Sequence, residues 1–231
     1  MTMPSMCKKV VCFDLDDTLY KEIDFLKSGY RKVAELVDKR YHISANEVYY
    51  NLLTWYSHGE NAFERLNETY GLDNPISDYL NVYRFHQPNI LLSDEVRAAL
   101  IELKRAGILM GIISDGREET QRNKIEALGL SKWICADLII INEERQYFKP
   151  NHWSFDRMML NCFEKNVDTD TVFYYVGDNT EKDFIAPNEL GWVTVCLLDD
   201  GRNIHKQSFD IEEVKQPKYE ISVIKELIRL L

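Results

Sequence analysis

The carboxylates of Asp14, Asp16 and Asp17 follow the apolar residues 10–13 almost directly in the sequence. Like charges at this distance repel and raise one another's pKa. Alternate side chains of an extended chain point to the same side, so Asp14 and Asp16 face one way. An oxygen-rich cluster of this kind suits a hard cation such as Mg²⁺, which commonly bridges to a phosphate group. The spacing therefore predicts a magnesium site in which the cation offsets the repulsion.

The elements that must position these carboxylates are short apolar runs that alternate with segments of helical periodicity. The predicted strands cover residues 9–14, 108–114, 136–141, 171–177 and 192–198. The predicted helices cover 93–107, 118–130, 152–163 and 219–231, the first capped by Ser93 or Asp94 and ended by Gly107. Continuously apolar strands are typical of a sheet covered on both faces. The alternation predicts an α/β fold with a parallel sheet and right-handed crossovers.

Residues 21–91 interrupt this alternation because they contain no strong strand and have a helical character. About seventy residues exceed the length of one crossover helix, which predicts an inserted helical subdomain. Its aromatic residues are expected to pack the inserted helices against one another. Examples are Tyr49, Tyr50, Trp55, Tyr56 and Phe63.

Polar signals follow four of the predicted strands. They are Asp14 to Thr18, Ser114 to Gly116, Phe148 to Pro150 and Gly177 to Asp183. Ligands of an open parallel sheet bind beyond the carboxyl ends of its strands, so we expect these segments to meet at one edge. Asp178 joins the acidic cluster if the first and fourth strands are neighbours.

The ordered set resembles the four motifs of the haloacid dehalogenase-like (HAD) hydrolase superfamily. "DLDDT", "SDG", "FKP" and "GDNTEKD" match them in order across residues 10–200, and "ISDGREETQRNKIEALGL" resembles the subgroup with a helical C1 cap. The resemblance implies a three-layer, Rossmann-like α/β core with a parallel sheet and an inserted helical cap. It places the core domain at 1–19 and 92–231 and the cap domain at 20–91.

The resemblance implies that Asp14 is a nucleophile that attacks phosphorus and forms an aspartyl-phosphate. Asp16 is implied as the general acid that protonates the leaving alcohol and then deprotonates the hydrolytic water. Asp14, the backbone carbonyl of Asp16 and the carboxylate of Asp178 are the implied ligands of Mg²⁺.

Ser114 and Lys149 are implied as catalytic groups that also bind the transferred phosphoryl group. The backbone amides of Asp115 and Gly116 are expected to help them, and Lys149 is expected to hold Asp14.

Three residues of these motifs have supporting roles or none. Asp183 is placed outside the metal ligands, where it holds a metal-bound water, orients Lys149, or serves only as a helix-start carboxylate. Thr18 fits the family position that stabilises the turn after the first strand, and Asp17 is given no catalytic role.

The expected activity is Mg²⁺-dependent hydrolysis of a phosphomonoester, a small phosphorylated metabolite, with the cap closing over the site. A phosphomutase or other phosphotransferase on the same core, and a non-catalytic binding protein, stay open as alternatives. A haloacid dehalogenase is disfavoured, because a halide leaves without a proton and the dehalogenases lack an acid at the position of Asp16.

The charge and residue content of the chain restrict the kinds of molecule that it is expected to bind. The chain of 231 residues has a formal net charge of −10, which argues against nucleic acid and anionic membranes as partners. No apolar run approaches the ~20 residues of a membrane helix, and no secretory leader is recognised. The five cysteines are odd in number and form no CxxC pair, and the five histidines show no metal-ligand spacing. We therefore expect a cytoplasmic protein, as either a monomer or a homodimer.

Overall fold

The computed structural model describes residues 9–165 and 167–231. The chain forms two compact units, one comprising the described part of Met1–Glu22 with Leu91–Leu231, and the other Ile23–Ile90. The domain boundaries proposed above stay a prediction. Among the described residues, no helix combines the length and the apolar composition that crossing a membrane requires.

The first unit contains a six-stranded sheet in which every pairing is parallel. Its strands are β1 (Lys9–Phe13), β2 (Leu109–Asp115), β3 (Ile139–Asn142), β4 (Val172–Gly177), β5 (Val193–Leu197) and β6 (Tyr219–Ile221). Their order in the sheet is β3-β2-β1-β4-β5-β6, so β1 lies between β2 and β4. Helices cover both sides of the sheet, and the predicted α/β, Rossmann-like fold is confirmed.

The described residues form eight α-helices. They are α1 (Glu22–Tyr41), α2 (Ala45–Ser57), α3 (Ala62–Tyr70), α4 (Ile76–Phe85), α5 (Asp94–Arg105), α6 (Glu118–Ala127), α7 (Trp153–Phe163) and α8 (Ile185–Glu189). Helix α5 begins after Ser93, whose side chain accepts a hydrogen bond from the amide of Val96 at 3.2 Å. Gly107 follows this helix with a φ of 73°, a conformation that glycine adopts without a Cβ penalty.

The prediction of a helix over 219–231 is wrong. Residues Tyr219–Ile221 form β6, which pairs with the outer edge of β5, and Ile224–Arg229 form a 3-10 helix. The amide of Leu198 donates to the carbonyl of Ile221 at 2.8 Å, so β6 satisfies backbone groups that β5 would otherwise expose. Ile221, Ile224 and Leu227 are buried at intervals of three residues. This period fits a 3-10 helix with 3.0 residues per turn as well as an α-helix, which explains the error.

The second unit is helical and has its own apolar core. Asn61 caps α3 by accepting from the amide of Glu64 at 3.4 Å, and Gly71 ends it in a left-handed conformation. The buried core residues of this unit are Leu26, Tyr30, Val33, Ala34, Val37, Val48, Leu52, Trp55, Ala62, Phe63, Leu66 and Tyr79.

The expected packing role of the aromatic residues holds for most of them. Trp55 and Phe63 are buried, and Tyr49 and Tyr56 pack against the same core. Tyr50 is 65% exposed, so its expected packing role is wrong. It contacts the neighbouring ring of Tyr49 edge-on and otherwise faces outward.

Candidate active site

The carboxyl ends of β1, β2 and β4 bring three of the predicted residues together. Asp14 and Asp178 directly follow β1 and β4, Ser114 is the penultimate residue of β2, and all three line one pocket. The amide of Asp14 donates to the carbonyl of Val176 at 2.8 Å, which extends the pairing of β1 and β4 to the pocket edge. The lining residues are Asp14, Asp16, Asp17, Glu22, Ser114, Asp115, Phe148, Asp178, Asn179, Lys182 and His205.

Lys149 lies behind this pocket with its ammonium group buried. Its Nζ is 2.5 Å from Oδ1 of Asp14 and 2.8 Å from Oδ1 of Asp183, and it donates to the hydroxyl of Tyr175 at 2.9 Å. The contact with Asp183 has the distance of an ion pair without the angles of a hydrogen bond. Burial lowers the pKa of Lys149, but the charges of Asp14 and Asp183 outweigh it and hold this pKa above its ordinary value. Lys149 is therefore a fixed positive charge.

Asp183 is fully buried and connects two segments of the site. Its Oδ2 accepts from the amides of Asp178 and Asn179 at 3.2 and 2.9 Å, while its Oδ1 faces Lys149. A Cβ on Gly177 would lie 2.5 Å from Oδ2 of Asp183. The glycine that precedes Asp178 is thus the residue whose missing side chain leaves room for this carboxylate.

The three carboxylates repel one another. Oxygen atoms of Asp14, Asp178 and Asp183 lie within 4.8 Å of each other. Burial, followed by the charges of Asp183 and Asp14, raises the pKa of Asp178 to about 9. Burial also raises the pKa of Asp14 to about 7, although Lys149 opposes the shift. An all-oxygen set with this excess of negative charge has the donor chemistry that Mg²⁺ prefers.

Asp16 is held by three donors from two segments. Its Oδ1 accepts from Nζ of Lys124 at 2.7 Å and from the hydroxyl of Tyr20, and its Oδ2 accepts from Nε2 of Gln121 at 2.8 Å. Burial acts to raise the pKa of Asp16, but the charge and the hydrogen bond of Lys124 outweigh it and the two other donors add to the effect. The pKa of Asp16 is therefore lowered, in contrast to that of Asp14.

Comparison with known proteins places the chain in a family. The family model described as haloacid dehalogenase-like hydrolase matches residues 11–197. The chain belongs to the haloacid dehalogenase-like hydrolases. This finding confirms the resemblance recognised in the motifs and the expectation of a hydrolase.

Relatives and solved structures agree with this assignment. The chain is 28% identical to a glyceraldehyde 3-phosphate phosphatase of Methanocaldococcus jannaschii, over 96% of each chain. It is 26% identical to an N-acylneuraminate-9-phosphatase of Mus musculus, over 96% of this chain and 93% of the relative. A HAD phosphatase of Thermococcus onnurineus shares the fold with a TM-score of 0.60 at 20% identity, over 96% of this chain and 97% of that one.

The residues of the SDG motif of this HAD-like hydrolase make hydrogen bonds within the protein. Ser114 is buried and its hydroxyl accepts from Nε2 of Gln121 at 2.6 Å. The amide of Gly116 donates to the carbonyl of Asn142 at 2.9 Å, so a phosphate group must compete with that carbonyl for the amide. The carboxylate of Asp115 accepts from the amide of Lys149 at 3.2 Å and from Lys182 at 2.8 Å. Asp115 thus fixes the segments that carry both lysines.

Asp17 and Thr18 belong to the turn after β1. Asp17 adopts a φ of 55°, and its carboxylate accepts from the amides of Glu22 and Ile204, each at 2.9 Å. These bonds hold the turn after β1 against the loop that follows β5. The hydroxyl of Thr18 is buried and has no hydrogen-bond partner within residues 9–165 and 167–231.

Sequence reasoning missed several polar residues around the pocket of this hydrolase. Lys182 and His205 line it, Gln121 and Lys124 hold Asp16, and Nδ2 of Asn203 donates to Oδ2 of Asp178 at 3.0 Å. Gln121 and Lys124 lie three residues apart in the helix after Ser114, a spacing that places both on one face and that the sequence displays. Asn203 and His205 belong to the loop after β5, which carries no such signal.

Proposed function

We propose that the protein is a Mg²⁺-dependent phosphatase that hydrolyses a small phosphorylated metabolite through an aspartyl-phosphate at Asp14. The observation that carries this proposal is the convergence of Asp14, Asp178 and Ser114 on one pocket with the buried cation of Lys149 behind it. The relatives named as phosphatases support the reaction class. The buried free thiols of Cys12, Cys162 and Cys196 are consistent with our further proposal that it acts in the cytoplasm.

Asp14, Asp178 and the backbone carbonyl of Asp16 would hold the Mg²⁺ ion. The bound cation supplies positive charge that keeps the carboxylate of Asp14 ionised and offsets the charge of the phosphate group. The raised pKa values of Asp14 and Asp178 support this assignment, because these carboxyl groups lack sufficient positive charge from the chain alone. We propose that Asp183 stays outside the ligand set, since two backbone amides and Lys149 already surround its carboxylate.

In the first step the carboxylate of Asp14 attacks phosphorus while the bond from phosphorus to the ester oxygen breaks. A proton from the carboxyl group of Asp16 goes to that oxygen, and the alcohol leaves. Ser114 and Lys149 stabilise the negative charge on the transferred phosphoryl oxygens. The lowered pKa of Asp16 describes the site without substrate, and a dianionic ester beside it would raise this pKa and favour the protonated form.

In the second step water attacks phosphorus and the bond to Asp14 breaks. Asp16, now a carboxylate, takes a proton from that water, and inorganic phosphate leaves. The sum is one ester and one water converted to one alcohol and one phosphate, with both aspartates restored. A phosphomutase or other phosphotransferase would replace the water with a substrate hydroxyl, and a binding protein would stop before the first step.

The proposal is tested by phosphate release from a panel of phosphate esters. The panel should include D-glyceraldehyde 3-phosphate, N-acylneuraminate 9-phosphate, sugar phosphates, nucleotides and 4-nitrophenyl phosphate. We expect turnover with Mg²⁺, its loss with EDTA and its return with added Mg²⁺. Absence of phosphate release from every ester would contradict the proposal, and turnover that survives chelation would remove the metal from it.

Two variants test the nucleophile separately. Asp14→Asn should abolish hydrolysis of 4-nitrophenyl phosphate and leave the fold intact, because an amide cannot form the aspartyl-phosphate. Asp156→Asn removes an exposed carboxylate from α7 and is the matched control, which should keep full activity. Equal activity of the two variants would exclude Asp14 as the nucleophile.

A further inference from the structure

Helix α6 carries two buried polar side chains on the face toward the pocket. Gln121 and Lys124 are 2% and 3% exposed, and they lie three residues apart. Lysine is almost never this buried unless it is paired, since removing its charge from water is costly. Neither side chain belongs to the motifs that carry the proposed chemistry, so their burial requires a separate explanation.

Both side chains bind the carboxylate of Asp16, each at a different oxygen. Nζ of Lys124 lies 2.7 Å from Oδ1, and Nε2 of Gln121 lies 2.8 Å from Oδ2. A carboxylate held at both oxygens by one rigid helix has little freedom to rotate. Its plane is therefore set by α6 as well as by the turn after β1.

Gln121 also connects Asp16 to the proposed phosphate site. Its Nε2 donates to the hydroxyl oxygen of Ser114 at 2.6 Å and to the carbonyl of Asp115 at 3.3 Å. One amide nitrogen thus fixes the distance between the carboxylate of Asp16 and the hydroxyl of Ser114. A proton donor must lie within hydrogen-bond reach of the leaving oxygen, which itself is attached to the phosphorus beside Ser114.

Lys124 adds a charge that Gln121 does not have. Its Nζ lies 3.8 Å from Oε1 of Glu22 and 2.7 Å from Oδ1 of Asp16, so the carboxylate of Asp16 is the nearer anion. This ammonium group holds one oxygen of the carboxyl group of Asp16 in place, as Gln121 holds the other.

We propose that Lys124 and Gln121 are positioning residues that hold the carboxyl group of Asp16 toward the leaving-group oxygen, so that esters with poor leaving groups depend on both residues. The inference rests on the proposed function, because it assigns a partner to the acid of that reaction. The inference predicts different effects on two kinds of ester. Esters whose alcohol needs a proton depend on Lys124, and esters with an activated leaving group do so much less.

The test compares benzyl phosphate, which releases an alkyl alcohol, with 4-nitrophenyl phosphate, which releases a stabilised phenolate. The value of kcat/KM is measured for each ester, since it reports the steps up to release of the alcohol. Lys124→Met should lower kcat/KM for benzyl phosphate at least about tenfold more than for 4-nitrophenyl phosphate. Arg122→Met is the matched control, because it removes a positive charge from an exposed position of the same helix and should change neither value.

The outcomes separate this inference from the proposed function. Equal losses for the two esters in Lys124→Met would indicate a purely structural role and overturn the inference, as would no loss for either ester. Gln121→Leu carries the same test if circular dichroism shows that Lys124→Met does not fold, since it removes the other donor that holds Asp16. Wild-type protein that releases phosphate from neither of these esters nor from any ester of the wider panel would overturn the proposed function itself.

Discussion

Substituting Gly177 with alanine tests whether the carboxylate of Asp183 organises the site. The added Cβ would lie 2.5 Å from Oδ2, 2.9 Å from Cγ and 3.0 Å from Cβ of Asp183. Contacts this short cannot persist, and Asp183 itself is fully buried. The carboxylate must therefore move away from the amides of Asp178 and Asn179 and from the ammonium group of Lys149.

The expected decrease in the free energy of unfolding follows from the contacts that the carboxylate of Asp183 loses. It accepts two backbone hydrogen bonds, at 3.2 and 2.9 Å, and lies 2.8 Å from Nζ of Lys149. Hydrogen bonds to a charged group each contribute about 1.5–3 kcal/mol, and an uncompensated buried charge costs more. Partial loss of the three contacts should lower the free energy of unfolding by about 3–5 kcal/mol, or the Tm by about 10 °C for a chain of this size.

The measurement is urea unfolding followed by circular dichroism in EDTA, with Gly107→Ala as the control. Gly107 has a φ of 73° and open space around the position of a Cβ, so its substitution costs only the left-handed backbone penalty, about 1–2 kcal/mol. Gly177→Ala should lose clearly more stability than Gly107→Ala and should also lose phosphatase activity. Equal losses in the two variants would refute the packing argument.

Three further predictions concern the metal ligands. Burial and the charges of Asp183 and Asp14 raise the pKa of Asp178 to about 9, so Mg²⁺ must displace a proton from this carboxyl group when it binds. The affinity of the protein for Mg²⁺ should therefore rise between pH 7 and pH 9. Calorimetry in buffers of different ionisation enthalpy measures both the affinity and the proton release. A carboxyl group with a raised pKa stabilises the metal-free fold at low pH, and this stabilisation is lost as the pH rises through the raised value. The free energy of unfolding in EDTA should therefore fall between pH 7 and pH 9. A free energy of unfolding that does not change with pH would contradict the raised pKa. Asn203→Ala should weaken binding of Mn²⁺, measured by electron paramagnetic resonance, about tenfold because Asp178 loses its orienting donor. Asn161→Ala, on the surface of α7, should leave that affinity unchanged.

The sequence predicted the strands of the core more reliably than the polar environment of the site. Five apolar runs correspond to β1 through β5 because a buried parallel strand needs apolar residues on both faces, and this requirement is visible locally. Asp14 and Asp178 could be placed near each other for the same reason, since the ends of adjacent strands share one edge. The short β6 was not predicted, because its three residues are defined by pairing with β5 and not by a local pattern.

The partners of the catalytic candidates could not be predicted, because they depend on contacts between distant segments. Lys124 is a solvated helix residue by local reasoning, and only the return of α6 to the end of β1 brings it within 2.7 Å of Asp16. Asn203 lies in a loop without a recognisable motif, yet it binds Asp178, which is 25 positions earlier in the chain. The spacing of Gln121 and Lys124 shows that they share a face of α6, but it does not show that this face is buried or what it contacts.

The loop after β5 shows how such distant contacts assemble the site. Lys21 donates to Oδ1 of Asn203 at 2.6 Å, while Nδ2 of the same residue donates to Asp178 at 3.0 Å. The amide of Ile204 binds Asp17, and Gln207 donates to the carbonyl of Asp178 at 2.8 Å. This loop therefore joins the turn after β1 to the segment after β4, the two segments that carry Asp14 and Asp178. Hydrogen bonds from this third segment hold the two acidic segments side by side. The raised pKa of Asp178 and the buried charge of Lys149 limit the repulsion between the carboxyl groups before a cation binds.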